Sequence, residues 1–435
     1  MTDRGPQKND PIRAARQAQR LKKRYRKERR FRAFGMSAVL LATGILAFLM
    51  TSIVYTSIPA FTHHNLTLDV TIIAEEVDIL RDDQGLVTNV DANWLGFVRT
   101  ALRDSFPEVT SRRDKRDLYK LLSIGAPDAV RDAVQADPNL IGQTIQVRLP
   151  LSDDIDLVMK GLIDRNLPET DRLVSDRELA WLDKFIAEQR VSENFAVQLF
   201  ANGDSREPEM AGLKGALMGS LLTMLVTLLI SFPLGVLAAV YLQEMAPKNR
   251  LTQIIEVNIN NLAAVPSIVF GLLGLAVFIS FFQLPRSAPL VGGMVLALMT
   301  LPTIIIATRA SLASVPPSIR QAAMGVGASR LQVIMHHVLP LAMPGILTGT
   351  IIGLAQAAGE TAPLLMIGMM AFIVDTPTDV TSKATVLPAQ IYMWANNPER
   401  AFVARTSAGI VVLLSFLLLV NGLAIYFRKR FEKRW

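Results

Sequence analysis

The sequence predicts an all-α polytopic membrane protein with six transmembrane helices and a mixed α and β domain inserted between the first helix and the second. The main observation is that long stretches lack Asp, Glu, Lys and Arg altogether, namely 215–243, 257–285, 287–308 and 406–427. Each exceeds the ~20 apolar residues that a helix needs to cross a bilayer. The second observation is that charge is distributed unevenly along the chain.

Both ends are basic, and the segment after the first apolar run is acidic. Residues 1–34 contain 13 Lys and Arg against 3 acids, the last eight contain 5 against 1, and 59–212 contain 17 against 28. This is the pattern of cytoplasmic tails around an exported domain. We therefore expect membrane lipids, and no nucleic acid, as partners of the basic ends.

Composition excludes several kinds of chemistry. Without Cys, the chain has no disulfide framework, thiolate zinc site or cysteine nucleophile. Its four His form two adjacent pairs, His63–His64 and His336–His337, which are a poor basis for a metal centre. We expect no metal site and no catalytic residues.

The N-terminal part begins with a basic arm, 1–33, which we expect to be disordered or to lie on the membrane surface beside anionic lipid headgroups. The first transmembrane helix is predicted over 34–58. A signal peptide is excluded because the apolar run is far longer than a 7–15-residue h-region.

Residues 59–212 have the composition of a soluble domain, large enough to bury its own core. Residues 68–73 are strand-like, and 114–135 and 176–200 have helical spacing, with Ser175 and Ser192 as expected N-caps. The acidic run at 152–156 could bind Ca²⁺, or it could be a solvated surface, since the Gly and Glu of an EF-hand loop are missing.

A membrane-spanning core over 213–430 carries the other spans, and a basic tail covers 428–435. The spans are predicted at Gly215–Gln243, Asn258–Phe282, Pro289–Thr308, Leu341–Ile373 with an interruption, and Thr406–Phe427. Lys and Arg concentrate in short loops on one side, so the positive-inside rule places both termini in the cytoplasm and 59–212 outside.

The loop at 309–340 between the fourth and fifth spans is predicted to form two short helices. Pro316-Pro317 ends one element, Ser318 is placed to cap a helix, Gly325 and Gly327 break it, and Ser329 caps the next. An apolar stripe follows, formed by Leu331, Ile334, Met335 and Val338. Such a compact knob fits a groove on a partner, although an amphipathic loop lying on the membrane is an alternative.

Glu360 is the only acid between Glu256 and Asp375, and it lies within the fifth apolar stretch. An ionised side chain at bilayer depth costs about 2.5–3.5 kcal/mol on insertion scales, so it must pair, protonate or face water. Gly359 and Pro363 flank it and allow the helix to open there. The residue either ties two helices together or lies on a substrate pathway.

Small and polar residues elsewhere in the spans favour helix packing. The glycines expected to permit close approach are Gly271, Gly274, Gly292 and Gly293.

The loop at 309–340 resembles the cytoplasmic signature of bacterial ABC importer permeases. Gln321-Ala322-Ala323, Gly327 and Leu339-Pro340 keep the spacing of that signature, whereas Gln321 replaces the usual Glu and His337 a common Ile. The resemblance implies that these residues form a coupling helix seated on an ATPase subunit. The chain has no G-x-x-x-x-G-K-[ST] motif, so ATP would bind to the partner and no cofactor is expected here.

The segment Gly359-Glu360-Thr361-Ala362-Pro363-Leu364 resembles the fifth-span motif of A-type permease subunits of the phosphate-specific import system. The resemblance covers about 213–430, and the N-terminal part looks like an extended form of that family. It implies a type I importer fold and a substrate pathway at Gln356, Gly359, Glu360 and Thr361. Gln356 stands where members often have Arg, so the positive partner of phosphate would come from a second permease subunit or from backbone N–H groups beside Gly359.

The same resemblance implies an ATP-driven importer of inorganic phosphate in the bacterial inner membrane. Its other parts would be a second, PstC-like permease, a PstB-like ATPase dimer and a periplasmic PstS-like phosphate-binding protein. Three alternatives remain at this point: a permease for another oxyanion such as molybdate or sulfate, an ATPase-independent secondary transporter, and a membrane-anchored sensor.

Overall fold

The computed structural model describes residues 11–81 and 87–431. Two compact units are present, residues 1–55 and 56–435. A single helix, α1, runs over Pro11–Ser57, and its residues up to Tyr55 are the described part of the first unit. Of the two alternatives for the basic arm, disorder is therefore wrong for 11–33, which are helical, and a position on the membrane surface stays a prediction; 1–10 lie outside the described residues. The apolar side chains of the run are exposed, as Phe34, Leu40 and Phe48 illustrate, and this suits a helix surrounded by lipid.

The second unit begins with a short 3₁₀ turn at Ile58–Phe61 and continues into the inserted domain. Its strands are β1 (Thr62–Thr71), β2 (Val77–Arg81), β3 (Val87–Ala92), β4 (Thr144–Pro150) and β5 (Val191–Phe195). An antiparallel sheet has the order β4-β1-β5, and β2 and β3 form a separate hairpin. Alternate residues of β1 and its extension, Leu66, Leu68, Val70 and Ile72, are buried, which is the two-residue period of a half-buried strand.

Six helices complete the inserted domain. They are α2 (Trp94–Ser105), α3 (Arg112–Tyr119), α4 (Ala126–Ala136), α5 (Asp153–Met159), α6 (Asp176–Ala187) and α7 (Gln198–Ala201). Of these, α2 and α5 pack against β1, and α4 packs against β4. The predicted cap at Ser175 is confirmed, since Ser175 and Glu178 form a capping box. The predicted cap at Ser192 is wrong: Ser192 lies inside β5, because β1 recruits 191–195 as an edge strand.

Seven helices of different lengths form the first part of the transmembrane core. They are α8 (Lys214–Val240), α9 (Arg250–Leu262), α10 (Ser267–Leu273), α11 (Pro289–Ser314), α12 (Pro317–Gly325), α13 (Arg330–Val333) and α14 (Leu339–Gly359). Turns of π-helix extend α8, α10 and α13, at Tyr241–Met245, Gly274–Phe281 and Ile334–Val338. The chain continues through α15 (Ala362–Met366), α16 (Leu387–Ala395) and α17 (Ala401–Phe431).

Within the described residues, five helices are long and apolar enough to cross a membrane, and α9 with α10 makes a sixth if this pair counts as one span. The prediction of a single helix over Asn258–Phe282 is wrong, because α9 ends at Leu262, α10 begins at Ser267, and the two meet at 105°. Pro266 disfavours helical geometry at the residue before it and so separates the two. The fold class itself, an all-α polytopic protein with an α and β insert, is confirmed.

The short helix α16 was not predicted. It lies between the fifth and sixth spans, where 374–405 reads as an outer loop, and its Leu387, Ala389 and Gln390 are fully buried. The Trp394 indole N–H donates to the Asp204 carboxylate at 3.1 Å, which fixes α16 to the segment before α8. A buried helix of nine residues is too short to stand out from an apolar loop by periodicity.

Close helix packing at the four predicted glycines is confirmed. A Cβ on Gly293 would lie 2.5 Å from the Val226 side chain of α8, and one on Gly271 would lie 2.7 Å from Pro363 Cα. Gly292 would meet Met369 at 2.8 Å, and Gly274 would collide with Val295. These positions therefore set the separation of α8, α10, α11 and α15.

Candidate functional site

The interruption predicted in the fifth span lies at Glu360. α14 ends at Gly359, Glu360 has extended backbone angles (φ −76°, ψ 123°), and α15 begins at Ala362 with Pro363 in its first turn. Proline at that position has no N–H to lose and cannot continue α14. The break therefore follows from the local sequence.

The Glu360 side chain is half-buried, and among the described residues its carboxylate has no hydrogen-bond or ion-pair partner. Gln356 and Gly359 are exposed on the last turn of α14, and Thr361 is half-buried. The Glu360 N–H donates to the Ala357 carbonyl at 3.1 Å. The Glu360 N–H is therefore not free to bind a substrate, although we expected free backbone N–H groups beside Gly359.

Packing on one side holds the break in place. α15 lies against α10, where Gly271 admits Pro363, and the neighbouring Ala357, Leu364 and Ile367 are buried. A cavity beside the break, lined by Ala357, Ala358 and Leu364 among others, has a volume of about 10 Å³. Such a volume holds one water at most. The side that carries Gln356, Gly359 and Glu360 is thus the open side.

The loop at 309–340 forms the predicted helix–Gly–helix knob. α12 ends at Gly325, Gly327 has φ +90°, and Ser329 caps α13 in a capping box with Gln332. Ala323 is buried, whereas Gln321 and Ala322 are exposed, and so are the apolar Met324 and Val326. The knob therefore presents a mixed polar and apolar surface.

Two details of the loop differ from the prediction. Ser318 does not cap α12, because the helix already begins at Pro317 and no side chain caps it. The stripe of four apolar residues is divided: Ile334 and Val338 are buried, but Leu331 and Met335 are exposed. The π-helical turn Ile334–Val338 changes the rotation per residue and so separates positions that α-helical spacing would align.

Arg320 fixes α12 to two spans, and sequence reasoning missed this role. Its guanidinium donates to both oxygens of Glu244, with Nη2–Oε1 at 2.6 Å and Nε–Oε2 at 3.2 Å. It also donates to the carbonyl oxygens of Val315 and Leu312, at 2.7 and 2.8 Å. Glu244 belongs to the π-helical turn that extends α8, and Leu312 belongs to α11, so these bonds tie α12 to both spans.

The inserted domain contains a buried ion cluster, formed by His63, His64, Asp156 and Lys160, which the sequence did not reveal. The Asp156 carboxylate accepts hydrogen bonds from the His64 backbone N–H at 3.0 Å and from His64 Nδ1 at 2.8 Å, and it lies 3.3 Å from His63 Nδ1. Lys160 Nζ lies 2.5 Å from Asp156 Oδ2 and 2.6 Å from the Pro59 and Thr62 carbonyl oxygens.

Charges determine the ionisation of this cluster. Burial alone would raise the pKa of Asp156, but the hydrogen bonds from His63 and His64 and the charge of Lys160 outweigh burial and hold that pKa well below its usual range. Nearby, burial raises the pKa of Glu209 to about 7. Glu209 and Arg405, the latter in the first turn of α17, line the same small cavity as the cluster.

Two alternatives were open for the acidic run 152–156, a Ca²⁺ site and a solvated surface. The solvated surface is wrong for Asp156, which is buried because α5 packs it against β1. Within 11–81 and 87–431, no three His, Cys, Asp or Glu side chains come together in a way that could hold a metal ion. Ca²⁺ binding by this run therefore has no support from the described geometry.

Comparison with known proteins identifies the family of the chain. Residues 231–433 match the family described as the binding-protein-dependent transport system inner membrane component, and 18–169 match a domain of unknown function, DUF3333. A phosphate transport system permease protein PstA from Haemophilus influenzae is 32% identical over 226 residues, which are 52% of this chain and 79% of that protein. The PstA of Yersinia pestis is 33% identical over 220 residues, covering 50% and 73%.

Among solved structures, a chain of the inward-facing MetNI methionine ABC transporter is similar, with 16% identity, a TM-score of 0.41, and coverage of 51% of this chain and 96% of that chain. The family match defines the class of the protein as the inner membrane permease of an ABC transport system, a transport subunit and not an enzyme. Within that class, the chain belongs to the family of the phosphate transport system permease protein PstA.

Proposed function

We propose that this chain is the A-type permease subunit of an ATP-driven phosphate importer and forms half of its translocation pathway. The observation that carries the proposal is Glu360, a half-buried carboxylate at a break in a membrane helix, with no partner among the described residues. The names of the PstA relatives support phosphate as the substrate.

A carboxylate suits phosphate in spite of their like charge. Hydrogen phosphate retains a P–O–H donor at neutral pH, which Glu360 can accept, whereas sulfate offers no such donor. Sulfate would leave the carboxylate lone pairs unpaired and repelled, so Glu360 favours phosphate over fully deprotonated oxyanions. Gln356 and Thr361, on either side of the break, would donate to the phosphate oxygens, and Gly359 lets the substrate approach the backbone.

A second permease subunit would complete the site and supply the positive charge that Gln356 does not. The cavity beside the break is too small for an oxyanion, and the side with Gln356 and Gly359 is open. A pathway between two permeases satisfies both observations, because it makes the open side an inner wall.

The knob α12–α13 would dock on a cytoplasmic ATPase dimer, which binds the ATP. Gln321, Ala322 and Gly327 would contribute its exposed docking surface and the buried Ala323 would support it, while Leu339 and Pro340 begin the span that leads to Glu360. Arg320 would transmit the movement of the docked knob to α8 and α11. Both termini would then be cytoplasmic, and the inserted domain would face the periplasm, where a phosphate-binding protein delivers substrate.

The test uses the complete transporter, with its second permease and ATPase, in proteoliposomes loaded with ATP. We expect Glu360→Gln to lower phosphate uptake at least about tenfold, which corresponds to ~1.4 kcal/mol. We also expect this variant to discriminate less against sulfate. The sulfate concentration that inhibits uptake of labelled phosphate by half should move closer to the concentration of unlabelled phosphate that does so. The matched control is Asp375→Asn, an exposed acid beyond the break, which should leave both quantities unchanged.

Normal phosphate uptake with unchanged rejection of sulfate in Glu360→Gln would exclude the assigned role. Uptake of labelled sulfate or molybdate in preference to phosphate by the unaltered complex would replace phosphate as substrate. Uptake by this chain without any ATPase would exclude the ABC mechanism.

A further inference from the structure

The inserted domain exposes a stack of phenylalanine rings. The ring centroids of Phe195 and Phe200 are 6.2 Å apart with nearly parallel planes, and those of Phe61 and Phe200 are 6.3 Å apart. Phe195 is 58% exposed, Phe200 39% and Val197 60%. We name Phe61, Phe195, Val197 and Phe200 the phenylalanine patch.

The backbone holds this patch rigidly outward. Phe195 ends the edge strand β5, the Ala196 N–H donates to the Phe61 carbonyl at 2.8 Å, and the Val197 N–H donates to the Phe195 carbonyl at 2.9 Å. Leu199, between Val197 and Phe200, points the other way and is fully buried. The rings therefore cannot turn inward without unfolding this segment, since the interior position beneath them is already filled.

The patch lies at the level where two spans begin. Leu199 belongs to an apolar cluster with Leu213, Ala216 and Phe402, which are at the starts of α8 and α17. The Leu213 N–H donates to the Leu199 carbonyl at 2.7 Å, so the patch is directly joined to the first turn of α8. Along the chain, Phe61 also follows the end of α1 by only four residues.

Lipid is the environment that fits this position. Near their starts, α8 and α17 also expose apolar side chains, Met218, Leu221 and Val403, so apolar surface is exposed on these spans near the end that carries the patch. Phe side chains, like Leu and Trp, bury at the boundary between headgroups and acyl chains in segments that lie on a membrane surface. A cluster of exposed rings in water would be disfavoured.

We propose that the phenylalanine patch inserts into the membrane leaflet on the side of the inserted domain and fixes the height and orientation of that domain on the bilayer. The partner is the lipid surface itself, at the boundary between headgroups and acyl chains. This role does not depend on which solute the transporter moves.

The absence of Cys from the sequence makes a direct test available, because a single introduced Cys carries the only label. Full-length Val197→Cys and Phe195→Cys are labelled with a nitroxide in lipid nanodiscs, and collision with oxygen is compared with collision with a polar nickel chelate. Ile73→Cys is the matched control: Ile73 is 41% exposed and lies beyond the opposite end of β1, on the order of 33 Å away at 3.3 Å per residue.

We expect the oxygen-to-nickel accessibility ratio at 195 and 197 to be at least fivefold that at 73. Equal ratios at all three positions would place the patch in water and overturn the proposal. Exclusion of both reagents at 195 and 197 would mean that protein covers the patch, and it would overturn the proposal in favour of a protein partner. Val197→Cys leaves every ring of the stack in place, so the result does not depend on tolerance of a lost Phe.

Discussion

Substitution of Asp156 by Asn in the buried ion cluster should destabilise the inserted domain severely. Asp156 is 6% exposed and serves two His side chains, one backbone N–H and Lys160. Asn keeps one acceptor for His64, but its amide N–H₂ then faces the Lys160 ammonium, which retains only the Pro59 and Thr62 carbonyl oxygens as partners. Removing one member of a buried ion pair costs about 3–5 kcal/mol, and the two carbonyls place the expected loss at about 3–4 kcal/mol.

Native-state hydrogen exchange, followed by mass spectrometry of the full chain in nanodiscs, measures this loss locally. A loss of about 3–4 kcal/mol increases exchange from peptides of β1 and α5 by on the order of 10²–10³-fold, at 1.4 kcal/mol per decade. Peptides of α11 serve as the internal reference. Lys160→Met added to Asp156→Asn removes the uncompensated ammonium, so the double variant should regain part of the protection.

Exchange in β1 and α5 that stays within threefold of the unaltered chain would refute the assignment of Asp156 as the counter-charge of Lys160. The two side chains would act independently if adding Lys160→Met to Asp156→Asn lowered protection as much as Lys160→Met lowers it in the unaltered chain.

Three further outcomes are expected. Arg320→Lys should keep one hydrogen bond to Glu244 and lose those to the carbonyl oxygens. The complex should then bind its ATPase normally but transport several-fold fewer phosphate ions per ATP hydrolysed. An unchanged number of phosphate ions per ATP would contradict the proposed role of Arg320 in linking the knob to the spans. Because burial raises the pKa of Glu209 to about 7, its contribution to the stability of the domain should fall by at most ~3 kcal/mol as pH rises from about 4.5 to 7, and should stay constant at higher pH. Glu209→Gln should abolish this pH dependence of stability, measured by hydrogen exchange at several pH values. Gly293→Val should collide with Val226 and lower the thermal stability of the core by about 1–3 kcal/mol, whereas Gly422→Val, which meets open space, should not.

The spans and the break at Glu360 could be predicted because lipid imposes a strong local constraint on sequence. A helix surrounded by lipid needs uncharged side chains along its whole length, so a long uncharged run indicates a span directly. The break is also visible in the sequence, because Gly359 and Pro363 disfavour a continuous helix there. The bend between α9 and α10 was missed although Pro266 was visible, because proline is tolerated inside membrane helices and its presence alone does not separate a kink from a 105° turn.

The buried ion cluster and the Arg320 anchor could not be predicted, because their partners are distant in sequence. His64 meets Asp156 across 92 positions, and Arg320 meets Glu244 across 76. One sequence contains no signal for such pairs: Asp156 belongs to an acidic run that resembles a solvated surface, and Arg320 to a loop where basic residues report only the cytoplasmic side.

The presence or absence of a charged partner separates the structural acids of this chain from Glu360, the acid to which we assign a transport role. Asp156 and Glu244 each face a fixed cation that the same chain provides, so their charges are already used to hold β1 against α5 and α12 against α8. Glu360 is half-buried at a break and, among the described residues, has no such cation or donor. A carboxylate in this position carries a cost that the chain itself does not offset. Under the proposed function the missing donor comes from outside the chain, and a P–O–H group that passes the break would supply one at the moment of transport.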